Sequence, residues 1–348
     1  MVCWFSRRGV PATGDQLALP IQYPAHMVGF RQRAGAVATA MPTLTANGIR
    51  IAFDTAGDPK SVPVLLIHGV GMQLTAWPDE FVEGLVDLGF YVIRFDNRDC
   101  GLSTKYERAG TPNLKLAWLK SRIGWPLRPP YRLDDMAEDA LGVLTALGVA
   151  KAHVVGVSMG GMIGQILAAR HPGRVLSLTS VMSSSGRRGL PGPSKELVRT
   201  LSRKLATDGS SDMAVDQIVE MLRAIGSPAY PTPEKLLRRR VARSLRRCSC
   251  ASGARRQWLA VMGSGDRTAL LKTIEVPTLV IHGAADPVVP VACGIDTAER
   301  VPGARLEIIE GMGHDLPAQL LERLIALIDA HAHGKMTPDS SPRLFVKQ

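Results

Sequence analysis

No apolar run in the sequence approaches the ~18 residues that a membrane-spanning helix needs, which excludes an integral protein built on such helices. Cysteine is scarce. The five residues, Cys3, Cys100, Cys248, Cys250 and Cys293, are odd in number, scattered and without zinc-ligand spacing. That excludes a disulfide framework and a cysteine-built zinc site, and it fits free thiols in a reducing compartment, so a cytoplasmic location is expected. No internal repeat is present. Arg7 and Arg8 are not followed by an apolar core of about 7–15 residues, so a twin-arginine export signal is not expected either. The arginine-rich stretches are not interleaved with aromatics, and nucleic acid is not an expected partner.

What is present is an ordinary globular composition, 45% hydrophobic and 21% charged over 348 residues. A chain of this length buries a large core without disulfides or metal. The net charge of +11 is concentrated: residues 187–256 hold sixteen Lys/Arg against six Asp/Glu, and the first forty residues hold four Arg against one Asp. The rest is close to neutral, so the basicity is a local surface property.

Residues 1–40, punctuated by Pro11, Pro20 and Pro24, show neither helical nor strand periodicity and read as an N-terminal extension. From Thr43 the pattern sharpens. Segments 43–46 and 50–54 flank Asn47-Gly48, a two-residue hairpin signal. Short apolar runs at 64–67, 91–95, 153–157, 175–181, 278–281 and 305–309 read as buried strands. Amphipathic stretches at 80–88, 133–147, 160–170, 291–301 and 317–330 read as helices. This alternation predicts a mostly parallel, eight-stranded sheet covered on both faces. It breaks over 183–268, which starts Ser/Gly/Pro-rich and continues helical and basic. The expected organisation is therefore an α/β body at 41–182 and 269–333, a helical cap at 183–268 inserted after the sixth strand, and a tail at 334–348.

Gly156-Val157-Ser158-Met159-Gly160 fits G-x-S-x-G. The bare pattern is weak, but here a predicted strand runs into it and a predicted helix runs out, which lifts the serine hydroxyl above the sheet edge. A serine attacks only when a base takes its proton. Of eight histidines, His26, His331 and His333 fall in expected tails, and His153, His171 and His282 in structural positions. His314, in Gly311-Met312-Gly313-His314-Asp315 after the last strand, is the expected base. Asp286, after the strand at 278–281, is the expected partner that fixes the histidine tautomer, and Asp315 is assigned to the loop's own structure. The order Ser158, Asp286, His314 suits this architecture. The backbone N–H groups of Met159 and Val70 are the expected oxyanion donors, with His68 bracing the loop that carries Val70.

With these residues in place the chain resembles the α/β-hydrolase superfamily over roughly residues 43–333. Further matches are Asp96-Asn97-Arg98-Asp99-Cys100-Gly101-Leu102-Ser103, Gly283-Ala284-Ala285-Asp286 and Gly313-His314. The segments Trp77-Pro78-Asp79-Glu80-Phe81, Ile225-Gly226-Ser227-Pro228-Ala229-Tyr230 and Ser264-Gly265-Asp266-Arg267 resemble the aclacinomycin methylesterase and bacterial lipase/esterase subgroup. The resemblance implies a cofactor-free serine hydrolase that cleaves carboxylic esters of small molecules. Serine at the elbow argues against the dehalogenase and epoxide-hydrolase branches, which carry Asp there, and a basic cap argues against proline iminopeptidase. Two alternatives are a perhydrolase or haloperoxidase using the same residues, and a non-catalytic small-molecule receptor on the same fold. The basic helix predicted at 235–247 sets Leu237, Val241, Ser244 and Leu245 along one face and six arginines around the others. A docked apolar stripe with solvated arginines is the favoured reading, ahead of weak electrostatic attraction to anionic lipid.

Overall fold

The computed structural model describes residues 41–201 and 212–335. The expected extension at 1–40, and residues 336–348 of the expected tail, lie outside the described residues. The described residues form one eight-stranded sheet in the order β1-β2-β4-β3-β5-β6-β7-β8. The strands are β1 (Thr43–Ala46), β2 (Ile49–Ala56), β3 (Val62–Ile67), β4 (Phe90–Phe95), β5 (Ala152–Val157), β6 (Val175–Val181), β7 (Thr278–Gly283) and β8 (Arg305–Ile309). β1 and β2 are an antiparallel hairpin in which Ala46 faces Ile49 across the turn. Asn47 and Gly48 both take positive φ there (47° and 73°), as a two-residue turn matched to strand twist requires. β2 joins β4 antiparallel, and every pairing from β4 to β8 is parallel.

Helices connect the parallel strands: α1 (Asp79–Asp87), α2 (Leu114–Arg122), α3 (Leu133–Ala146), α4 (Met159–Arg170), α5 (Lys195–Leu201), α6 (Asp212–Ile225), α7 (Glu234–Arg247), α8 (Ala251–Ser264), α9 (Thr268–Leu271), α10 (Val291–Arg300) and α11 (Leu321–Ala332). Strand residues alternate between two buried faces, as the period of two dictates when both sides are covered. On β3, Leu65 and Ile67 pack with α3 and α4, whereas Val64 and Leu66 pack with α1 and α11.

α5 to α8 interrupt the strand–helix series between β6 and β7, where the break in alternation places an insertion. α2 has no counterpart among the predicted helices. It begins at Asn113, whose side chain accepts the Leu116 N–H at 3.1 Å. The end of the chain needs a correction. α11 runs to Ala332, so His331 is no tail residue: it is buried, with Nε2 3.2 Å from the Leu178 carbonyl. His333 caps the same helix with its ring 5.5 Å from Phe90. Both reach past the point where the amphipathic pattern fades, because packing rather than periodicity holds the last turn. Among the described residues, no helix is long and apolar enough to cross a membrane.

Candidate active site

β5 carries the chain to Ser158, which stands at φ 56° and ψ −118° as the cap of α4. A side chain at Gly156 would collide with the Gly160 carbonyl, and one at Gly160 with the Ile67 carbonyl, so glycine lets strand, turn and helix close on each other. The Ser158 hydroxyl lies 3.1 Å from His314 Nε2. His314 Nδ1 lies 2.7 Å from Asp286 Oδ2. Asp286 is buried, and its other oxygen, Oδ1, accepts the N–H groups of Val288 and Val289 at 2.9 and 2.8 Å. Those bonds fix the carboxylate plane and leave Oδ2 directed at the imidazole. The three residues selected from the sequence are thus brought into one line across 156 residues of chain.

The loop after β3 lies against this line. A Cβ built on Gly69 would stand 3.2 Å from Ser158 Cβ, which places the Val70 segment beside the serine. Met159 is the first residue of α4, so its N–H has no acceptor within the helix. Hydrogen bonds of the Val70 loop go through Gly69 N–H to His68 Nδ1 (2.7 Å) and Gly71 N–H to Gln257 Oε1 (2.7 Å). No acceptor for the Val70 N–H is found among the described residues. His68 is buried against Trp77, and burial together with the nearby His314 pushes its pKa down to about 3. It is a neutral acceptor that shapes the loop.

The histidine loop is clamped from the inserted helices. His314 N–H donates to the Ile225 carbonyl at 2.8 Å. Ser227 donates to Asp315 Oδ1 at 2.5 Å while its oxygen accepts the Gly313 N–H at 2.9 Å. A side chain at Gly313 would strike the Gly226 carbonyl, so this close approach requires glycine. Burial raises the Asp315 pKa, against the opposing hydrogen bonds of Ser227. Asp315 therefore turns away from His314 into the clamp, as the loop assignment expects.

Sequence reasoning did not find the braces on the other side. Gln257 of α8 holds Gly71 and also donates to the Arg98 carbonyl at 2.7 Å. Arg256, beside it, forms a buried two-point pair with Asp99 (2.8 Å each), which also accepts the Tyr131 hydroxyl at 2.7 Å. Arg247 pairs with buried Asp96 at 2.7 Å, and Asp96 further accepts Leu74 N–H and Leu102 N–H, both at 2.8 Å. The segment 96–103 is thus a buried junction joining the loops after β3 and β4 to α7 and α8. The signal available was the pairing of buried-looking acids in that segment with a surplus of arginine 150 residues away. Nothing in the sequence says which arginine meets which acid.

α7 docks through Val241, which is buried, with Leu237 and Leu245 half-buried. Three of its arginines form ion pairs: Arg247 with Asp96, Arg243 with Asp79, and Arg238 with Asp216 and Glu234. Among the described residues, no group of three or more His, Cys, Asp or Glu side chains is arranged to hold a metal ion.

The chain matches the family model of the alpha/beta hydrolase fold over residues 62–318. It is 33% identical over 313 residues to rhodomycin D methylesterase DauP of Streptomyces sp. strain C5, spanning 84% of this chain and 99% of the relative. It is 32% identical, with the same coverage, to rhodomycin D methylesterase DnrP of Streptomyces peucetius. Among solved structures, an esterase from Thermogutta terrifontis superposes with a TM-score of 0.63 at 22% identity, covering 86% of this chain and all of that one. The parallel sheet, the strand-borne elbow and these matches lead to one conclusion: the chain belongs to the α/β-hydrolase fold family and is similar to its methylesterases.

Proposed function

We propose that Ser158, His314 and Asp286 carry out the carboxylic-ester hydrolysis to which the family and the methylesterase relatives assign this chain. The observation that carries the reading is the continuous line Asp286 Oδ2, His314 Nδ1, His314 Nε2, Ser158 Oγ at 2.7 and 3.1 Å. In this mechanism neutral His314 takes the Ser158 proton as Oγ adds to the ester carbonyl carbon. The Val70 and Met159 N–H groups stabilise the oxyanion, and a backbone donor of this kind is worth roughly 3–4 kcal/mol in the transition state. The tetrahedral adduct then expels the alcohol, which takes the proton from His314. Water, activated by the same imidazole, hydrolyses the acyl-enzyme. Every proton moves through residues of the chain, and no cofactor enters the sequence.

Residues 41–182 and 269–333 are the catalytic body in this reading, and 183–268 the cap. The support is that the cap segment 225–227 meets the His314 loop and Gln257 meets the Gly71 loop. Similarity to methylesterases over nearly their full length supports a methyl carboxylate as the substrate class. The test is turnover of methyl and p-nitrophenyl esters by wild type and by Ser158→Ala, with fluorophosphonate labelling as a second readout. Wild-type turnover and labelling that both require Ser158 support the proposal. Labelling or turnover that persists in Ser158→Ala overturns it.

A further inference from the structure

α2 leaves most of its large apolar side chains in the open, with lysine and arginine set between them. It meets the body through Ala117, while Leu116, Trp118 and Leu119 are 49%, 58% and 53% exposed. The chain leaves it through Ile123 and Trp125, 69% and 61% exposed, around a left-handed Gly124. At 100° per residue, Leu119 is nearly opposite Ala117, with Leu116 and Ile123 on one flank and Lys115 and Trp118 on the other. Five large apolar side chains gathered within ten residues of one surface segment form a patch, not the scattered exposure normal for a monomer.

Charge selects the occupant. Residues 108–133 contain Arg108, Lys115, Lys120, Arg122, Arg128 and Arg132 and no Asp or Glu. Lys115 and Arg128 are exposed. Alternating cations and large apolar groups, with two tryptophans, suit the headgroup boundary of a bilayer: indole rings settle there, and lysine and arginine reach anionic phosphates. α7 is richer in arginine but less suited, since its apolar stripe is docked and three of its arginines are paired. α8 continues the patch. Arg255 donates to the Pro112 carbonyl at 3.2 Å, and Trp258, one turn farther along, is partly exposed.

We propose that α2 and the segment that follows it to Arg128 are a docking surface for an anionic lipid bilayer, laid in the interface with Trp118, Leu119, Ile123 and Trp125 inserted. This goes beyond the hydrolase reading and does not depend on it.

The experiment is co-sedimentation of the full chain with vesicles of phosphatidylcholine alone and with about 30% phosphatidylglycerol, at low salt and at ~0.5 M NaCl. Wild type is expected to partition onto the anionic vesicles, with a salt-resistant fraction from apolar insertion. Leu119→Ser/Ile123→Ser is expected to lower partitioning about tenfold or more and to abolish the salt-resistant fraction. Lys115→Glu/Arg128→Glu is expected to bring binding on anionic vesicles down to the level on neutral ones. Both variants alter exposed residues, and turnover of a water-soluble ester checks that they are folded. Arg239→Ser/Arg246→Ser on α7 is expected to bind as wild type. Absence of wild-type binding, wild-type binding by both α2 variants, or a loss confined to the α7 variant overturns the proposal. So does sedimentation velocity that shows a wild-type dimer dissolved by Leu119→Ser/Ile123→Ser without vesicle binding, which would make the patch a contact between two copies of this chain.

Discussion

The loops at the end of the sheet and the helices between β6 and β7 contribute differently to the same site. Ser158, Asp286, His314 and the Val70 and Met159 N–H groups all lie where the chain leaves a strand of the parallel sheet. The inserted helices supply none of these. They supply partners to the partners: the Ile225 carbonyl for His314 N–H, Ser227 for Gly313, Gln257 for Gly71 and Arg247 for Asp96. In the proposed mechanism, reacting atoms are thus separated from the groups that hold them still. A substitution in the first set should remove chemistry at little cost in stability, and one in the second should degrade geometry, stability or both.

The sharpest test is Ser158→Ala or His314→Gln. Each is expected to lower kcat by about 10⁴–10⁶-fold, and the double variant by no more than the worse single one, because the residues act as a unit. Stopped ester-hydrolysis assays with a matched urea midpoint check both halves of the statement. Asp286→Asn follows, with kcat down about 10³–10⁴-fold and the fold retained, since an amide at the Oδ2 position can donate to the imidazole and hold the wrong tautomer. Near-normal kcat/KM in that variant would remove Asp286 from the line.

Arg256→Met moves to the other side of the comparison. It strips the partner from Asp99, a fully buried carboxylate, and is expected to cost about 3–5 kcal/mol of unfolding free energy. Urea denaturation measures it, and any activity loss should track the unfolded fraction. Ser227→Ala is smaller and more discriminating. With Gly313 and Asp315 released, kcat is expected to fall about 10- to 100-fold while KM stays within about threefold, because the imidazole is misplaced and no substrate contact is lost. A change in KM alone would place Ser227 in substrate binding instead.

The smallest effect is a pH dependence of stability. Burial holds His68 down at a pKa of about 3, and burial, then the charges of His331 and His333, holds His153 at about 4. Between those values and the ordinary 6.5, the unfolded chain binds protons that the folded chain does not. Stability therefore rises with pH through that window and is fully present above 6.5. From pH 7 to pH 5 each histidine should remove on the order of 1–2 kcal/mol. Paired urea titrations of wild type and His153→Gln check this, and an unchanged pH slope in the variant would exclude His153 as a contributor.

Much of the geometry of this candidate site was legible in the sequence because Ser158, His314 and Asp286, which the fold brings together, each sit beside a regular element. The elbow announces itself as strand, G-x-S-x-G and helix, and His314 and Asp286 each follow an apolar run. The braces were not legible. Arg256, Gln257 and Arg247 lie on helices whose periodicity shows only that they are helices, and their partners are more than 140 residues away. The charge surplus over 187–256 suggested an outward electrostatic face, yet Arg247 and Arg256 are turned inward onto Asp96 and Asp99. α2 escaped for a different reason: its apolar residues are spread around the helix with cations between them, so no stripe of period 3.6 marks it in the sequence.

The backbone of Ser158 carries a consequence of its own. At φ 56° an L-residue with a Cβ is held in a conformation that costs roughly 1–3 kcal/mol and that glycine would adopt freely. Gly156 and Gly160 on either side serve close packing instead, and neither takes a positive φ. The residue that holds this torsion is the one whose hydroxyl points at an imidazole. Among the described residues, Asn47, Asp99 and Met182 are the other non-glycine positions at positive φ, and the torsion at 158 joins the hydroxyl geometry as support for the proposed nucleophile.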